Sequence, residues 1–100
     1  MILGYILIGE GGVLLIIREF MPLLDEEGKS FFPGIMSAIS DLMRKAVREK
    51  IEHIELEKSH LYFGIEGGLT LILVSDSRDD TLINLANQII NEIEKKGYSS

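Results

Sequence analysis

Two segments constrain the fold of this chain most strongly, IGEGGVLLII at residues 8–17 and GIEGGLTLIL at residues 64–73. In both, a Gly-rich turn joins stretches that are apolar at nearly every position instead of every second one. A strand that is apolar on both pleat faces must be covered on both sides. The sequence therefore predicts a central sheet with helices above and below it.

Length and composition exclude several classes of protein. The chain has 100 residues, no cysteine and a formal net charge of −6. We expect a single domain over residues 1–100, without a disulfide framework or a thiolate metal site, and a cytoplasmic location fits a chain without cysteine. The acidic balance argues against nucleic-acid binding, which needs clustered Lys and Arg.

The apolar first 17 residues raise the question of a signal peptide or a membrane anchor. A signal peptide has a positively charged start, whereas the first basic residue here is Arg18. A membrane span needs about 20 predominantly apolar residues, and the glycines of residues 9–12 interrupt this stretch. We expect two strands, residues 2–8 and 13–20, joined by a turn.

The remaining pattern predicts two helices and three further strands. Ser30 is the expected N-cap of the first helix, with Pro33 in its first turn. Residues 51–57 suit an exposed edge strand, residues 61–66 and 69–75 form the second hairpin, and Asp80 or Thr81 caps the last helix. The expected buried stripe of the first helix comprises Phe32, Ile35, Met36, Ile39, Leu42, Met43, Ala46 and Val47. The opposite, polar face holds Ser37, Asp41, Arg44, Lys45 and Arg48.

The order β-β-α-β-β-β-α resembles the longin-like, or SNARE-like, variant of the profilin-type fold. The segment SFFPGIMSAISDLM resembles the first helix of that family, and IELEKSHLYFGIEGGLTLILVSD resembles its three-strand meander. The resemblance implies an α+β domain with a five-stranded sheet, antiparallel or mixed at most, in the order 2-1-5-4-3 between two helices. The related roadblock family begins with an extra helix, and since none fits before Ile2, longin-like is the closer match.

No group of residues has the spacing of a catalytic, cofactor or metal site. The glycines at residues 9–12 precede a strand, whereas phosphate-binding loops precede a helix. Asp76, Asp79 and Asp80 lack calcium-loop spacing, and His53 with His60 lacks a third ligand, so capping and an edge-strand surface are the simpler interpretations. We therefore predict no enzymatic activity, no cofactor and no bound metal.

The candidate partner-binding residues lie in two places. In the inferred sheet order, residues 13–17 form an edge that is apolar on both faces, and such edges are usually covered by a partner. We therefore predict partner contacts at Val13, Leu15 and Ile17. Arg44, Lys45 and Arg48 form a local basic group in an acidic chain, suited to an acidic partner or to peripheral contact with anionic lipid.

These observations favour a non-enzymatic protein-interaction module that acts as a homodimer or heterodimer. The resemblance implies an adaptor or regulator of the kind associated with small GTPases and membrane-traffic complexes. The alternative is a small-ligand sensor, because related profilin-like cores enclose ligands. The largely aliphatic stripes favour the interaction module, since ligand pockets carry a few convergent polar groups.

Overall fold

A computed structural model describes residues 1–97 and shows one five-stranded sheet with a long helix on each face. A short 3₁₀ turn at Glu10–Gly12 joins the first two strands, and a π-helical segment at Met43–Val47 extends the first helix. The main elements are β1 (Ile2–Ile8), β2 (Leu14–Glu19), α1 (Glu26–Leu42), β3 (His53–Glu55), β4 (His60–Glu66), β5 (Leu69–Ser75) and α2 (Thr81–Lys95).

The sheet is antiparallel with the strand order β2-β1-β5-β4-β3, which confirms the predicted topology. Two of the three interior strands, β1 and β5, have the most continuous apolar sequence. All seven residues of β5 are buried, because its neighbours flank it on both sides and helices cover both faces. The free edges belong to β2 and to β3, which is only three residues long.

Each face of the sheet carries its own apolar core. On one face, Tyr62 and Leu71 pack with Ala86 and Ile90 of α2. On the other face, Phe63 and Ile72 pack with residues of α1, among them Phe32 and Met36. Because successive residues of a strand point to opposite faces, neighbours such as Tyr62 and Phe63 serve different cores. This arrangement explains why the strands are apolar at almost every position.

The first helix begins earlier than predicted. Asp25, not Ser30, is its N-cap, and its carboxylate accepts a hydrogen bond from the backbone N–H of Gly28 at 2.7 Å. Pro33 consequently lies inside α1, where its missing N–H removes one helical hydrogen bond. The acidic residues Glu26 and Glu27 then occupy the first turn, where the helix dipole favours negative charge.

The predicted stripe of the first helix is only partly buried. Phe32 and Met36 face the core, whereas Ile35, Leu42, Ala46 and Val47 are exposed, so the assignment of these four to the core was wrong. Arg48 ends the π-helical segment in the left-handed conformation, with φ of 64°, and donates its backbone N–H to the carbonyl of Met43.

Glu19 fixes the connection between β2 and α1. Its carboxylate accepts hydrogen bonds from the backbone N–H groups of Leu23 and Leu24, at 2.8 and 2.9 Å, and forms an ion pair with Lys29 at 3.2 Å. These donors lower the pKa of Glu19 below its ordinary value of 4.5, chiefly through the N–H of Leu24 and then that of Leu23. The charged form therefore stabilises the folded state.

Glu19→Gln should make the free energy of unfolding of this protein less dependent on pH in the acidic range. A carboxyl whose pKa is lowered by folding stabilises the fold above its unfolded pKa, and that stabilisation is lost as the pH falls through the folded pKa. The variant should therefore be less stable than wild type at neutral pH, and the difference should vanish well below pH 4.5. Urea unfolding across this range tests the prediction, with the exposed Glu57→Gln as control. An equal loss at every pH would contradict it.

Candidate interaction surface

The apolar edge predicted at β2 lies at the edge of the sheet, but its three residues differ in environment. Val13 and Leu15 are 57% and 37% exposed. The pairing of β1 with β2 shifts register between Leu7 and Ile8, which leaves Leu15 as a bulge residue. Ile17 is half-buried and packs against the core on the α1 face. Val13 and Leu15 are therefore available to a partner, and Ile17 contributes mainly to the fold.

The three predicted cations are exposed but do not form one group. Arg44 and Lys45 lie in the π-helical segment, and Arg44 forms an ion pair with Asp41 at 3.0 Å. Both line a pocket that also contains Glu10 and Gly11 of the first hairpin. Arg48 does not line that pocket; it follows the segment as its left-handed C-cap.

A second exposed apolar surface lies on α1, with more exposed side chains than the edge of β2, and it was not predicted from the sequence. Phe31, Ile35 and Leu42 are 60%, 52% and 59% exposed, and Ala38 between them is exposed as well. These four residues, which we call the α1 seam, are spaced by four, three and four positions. Residues at this spacing share one side of a helix and match the apolar positions of a coiled coil. The other side of α1 packs on the sheet through Phe32 and Met36, so the seam faces away from the core.

The two histidines form a structural contact between β3 and β4. Their side chains are joined by a hydrogen bond from ring to ring, with His53 Nε2 and His60 Nδ1 2.9 Å apart. The ring of His53 also stacks on Tyr62 with centroids 4.7 Å apart, and the Tyr62 hydroxyl accepts a hydrogen bond from the N–H of Asp79. Both histidines are half-buried, so their assignment as simple surface residues was wrong.

The acidic loop before α2 has a capping role. Asp80 occupies the N-cap position, as predicted, but the capping carboxylate belongs to Asp79. Its Oδ1 accepts hydrogen bonds from the backbone N–H and the hydroxyl of Thr81, at 3.1 and 2.6 Å, and these bonds lower its pKa. Within residues 1–97, no group of three or more His, Cys, Asp or Glu side chains could hold a metal ion. Over the same range, no helix is both long and apolar enough to cross a membrane.

Comparisons with known proteins show which known fold this architecture resembles. No family model matches the sequence, and no curated protein matches it. Among solved structures, the crystal structure of a Roadblock/LC7 domain from Streptomyces avermitilis matches with a TM-score of 0.73 and 14% sequence identity. The match covers 98% of this chain and 87% of that chain. At this identity the likeness concerns the fold, and it confirms the predicted longin-like and roadblock-related architecture: the chain has the fold of a Roadblock/LC7 domain.

Proposed function

We propose that this protein is a non-enzymatic interaction module that pairs with a second copy of itself through the α1 seam. The observation that carries the proposal is the exposure of Phe31, Ile35 and Leu42 on one side of a helix whose other side is already packed. Contiguous exposed apolar side chains of this kind mark interaction sites. Coiled-coil spacing makes another helix the natural contact.

The charges of α1 favour a second copy in antiparallel orientation. Glu27, four residues before Phe31, and Lys45, three residues after Leu42, lie in line with the two ends of the seam. Antiparallel pairing brings the acidic end of each helix to the basic end of the other and also opposes the two helix dipoles. Parallel pairing would place like charges together at both ends. The seam is therefore self-complementary in one orientation.

A twofold antiparallel pair also has a defined register. When the pair is centred on the middle of the seam, Phe31 lies opposite Leu42 of the second copy, and Ile35 lies opposite Ala38 of the second copy. Large side chains at the two ends and a small alanine near the centre allow the helices to approach closely. The same contacts occur twice, as an isologous interface requires.

The edge of β2 offers a separate contact for a different protein. Val13 and Leu15 are exposed there, and an edge strand can accept another strand or a packed helix. We also propose that the C-terminal extension of α1 attracts an acidic partner or anionic lipid through Arg44, Lys45 and Arg48. The longin-like and roadblock-like resemblance supports small GTPases or membrane-traffic complexes as the class of partner and a cytoplasmic location.

Charged substitutions in the seam test self-association. We expect the wild-type protein to sediment at about twice its chain mass of 11.2 kDa, and Ile35→Lys with Leu42→Lys to sediment as a monomer, because two charges would enter the apolar contact. Both side chains are mostly exposed, so the thermal melt of the isolated subunit should change little. Leu85→Lys, at a 37% exposed position on α2, is the matched control and should remain dimeric. A wild-type monomer at high concentration would contradict the proposal.

A further inference from the structure

A polar pocket of about 270 Å³ lies between the C-terminal part of α1 and the turns of the two hairpins. Gly11 of the first turn and Gly68 of the second contribute to its wall. Three hydroxyl side chains also line it, Ser37 and Ser40 from α1 and Thr70 from β5. The pocket therefore combines the convergent polar groups that the apolar stripes of the sequence did not reveal.

The hydroxyl of Ser40 is the most informative group in this pocket. Ser40 is only 7% exposed, and in the described part of the chain its Oγ has no hydrogen-bond partner. A buried hydroxyl without a partner is costly, and most native structures avoid it. Ser40 could have been satisfied by a helix carbonyl, as serine often is within a helix. The residue lines the pocket while its Oγ is buried, so a rotation of the side chain would bring the hydroxyl to a bound ligand as its partner.

The charges around the pocket favour an anion. Arg44, Lys45 and Lys50 line it together with two carboxylates, Glu10 and Asp41. Three cations against two carboxylates give a net positive lining in a chain whose net charge is −6. Arg44 Nη2 lies 3.0 Å from Asp41 Oδ1, so this carboxylate orients the guanidinium at the wall.

We propose that this pocket binds a small soluble phosphate monoester that carries hydroxyl groups. A phosphate has several acceptor oxygens and two negative charges, which match Arg44, Lys50 and the Ser40 hydroxyl better than a carboxylate does. Glu10 and Asp41 provide acceptors for hydroxyl groups elsewhere on the ligand. The volume lies near the lower limit of about 300 Å³ for small-molecule sites, which fits a triose or pentose phosphate and is too small for a dinucleotide.

The apolar contact of the proposed pairing does not include this site. The pocket-facing positions Ser37, Ser40 and Arg44 are spaced by three and four residues and follow a different side of α1 from the α1 seam. A subunit can therefore bind the phosphate ester as a monomer or as a dimer. The proposal adds a ligand to the interaction module and does not depend on the identity of its protein partner.

Isothermal titration with glycerol 3-phosphate and ribose 5-phosphate tests the proposal, with glycerol and inorganic phosphate as reference ligands. At least one ester should bind with a stoichiometry of one per chain, inorganic phosphate more weakly, and glycerol not at all. Arg44→Gln and Lys50→Gln should each weaken binding about tenfold, because each removes a charge-assisted contact. Arg78→Gln is the matched control, since Arg78 forms a similar ion pair with Asp80, at 3.3 Å, outside this pocket.

Ser40→Ala separates a binding role from a structural one. It removes a buried hydroxyl that has no partner among residues 1–97, so the unliganded variant should be as stable as wild type or more stable while its affinity for the ester falls. Failure of both esters to bind at millimolar concentration would overturn the proposal. Equal binding by wild type and all pocket variants would overturn it too, as would binding only to vesicles that contain a phosphoinositide.

Discussion

Replacing Gly64 with valine should lower the free energy of unfolding by about 3 kcal/mol, at the upper end of the cost of overpacking a core. A Cβ atom at this position would lie 2.4 Å from the carbonyl oxygen of Ala86 and 2.6 Å from its carbonyl carbon. These are backbone atoms of α2, so no side-chain rotation can relieve the clash. Because Ala86 is fully buried, the whole helix would have to move away from β4. Urea unfolding measures the loss.

Gly34→Ala is the matched control for Gly64→Val and should have the opposite sign. Gly34 lies inside α1, and a Cβ atom built there meets nothing within 4 Å. Alanine is favoured over glycine in a helix interior by roughly 0.5–1 kcal/mol. We therefore expect a small gain in stability from this variant. Unchanged stability of Gly64→Val would mean that α2 does not pack closely on β4.

The sheet was predictable because its signal is distributed over whole strands. The predicted first strand agrees with β1 at both ends, and the predicted last strand agrees with β5 at both ends. Strands that are apolar on both faces belong at the centre of a covered sheet, and that requirement agrees with the order that the family resemblance implied. The edge strand β3 was less well defined, because Glu52 and Glu55 interrupt its apolar positions and it shortens to three residues.

The start of α1 was mispredicted because two capping signals compete in the sequence. Ser30 precedes Pro33 at a spacing that suits a helix start, whereas Asp25 is followed by two acidic residues that suit the first turn equally well. The contacts of Glu19 in the folded structure favour the earlier start, at Asp25. Its carboxylate holds the N–H groups of Leu23 and Leu24 and pairs with Lys29, which fixes the chain just before and within the first turn. Two of the three groups that contact this carboxylate are backbone N–H groups, which leave no signal in the pattern of side chains.

The α1 seam was missed because two apolar stripes overlap in the sequence. Apolar residues occur in adjacent pairs along α1, and in the first two pairs one member packs in the core while the other is exposed. The four pairs are Phe31 with Phe32, Ile35 with Met36, Ala38 with Ile39, and Leu42 with Met43. A search for one buried stripe combines both sets, and so Ile35 and Leu42 were assigned to the core. Adjacent apolar pairs at helical spacing are the signal that would have indicated a second contact surface.

The polar pocket could not be predicted from local pattern, because its residues come from distant parts of the chain. Glu10, Ser40, Lys50 and Thr70 belong to a hairpin turn, a helix, a loop and a strand. Their convergence depends on the sheet order and on the position of α1 over the sheet. Ser40 itself looks like an ordinary polar helix residue until its burial is known.

Antiparallel pairing of the α1 seam predicts an all-or-none pattern of disulfide formation. The chain contains no cysteine, so Phe31→Cys and Leu42→Cys each introduce a single thiol. In an antiparallel pair, position 31 of one copy lies opposite position 42 of the other. Identical positions are displaced by eleven residues, about 16 Å along the helix axis. A disulfide requires Cα atoms within about 7 Å, so only mixed pairs can form one.

The most direct measurement is mild oxidation of the two variants, separately and after mixing to allow subunit exchange, with one variant carrying a mass tag. The pairing proposed here predicts rapid formation of a covalent dimer that contains one tagged and one untagged chain, in the mixed sample alone. A parallel pair would instead give covalent dimers within each separate sample. That result, or the absence of any rapid cross-link in the mixture, would contradict antiparallel pairing through the α1 seam.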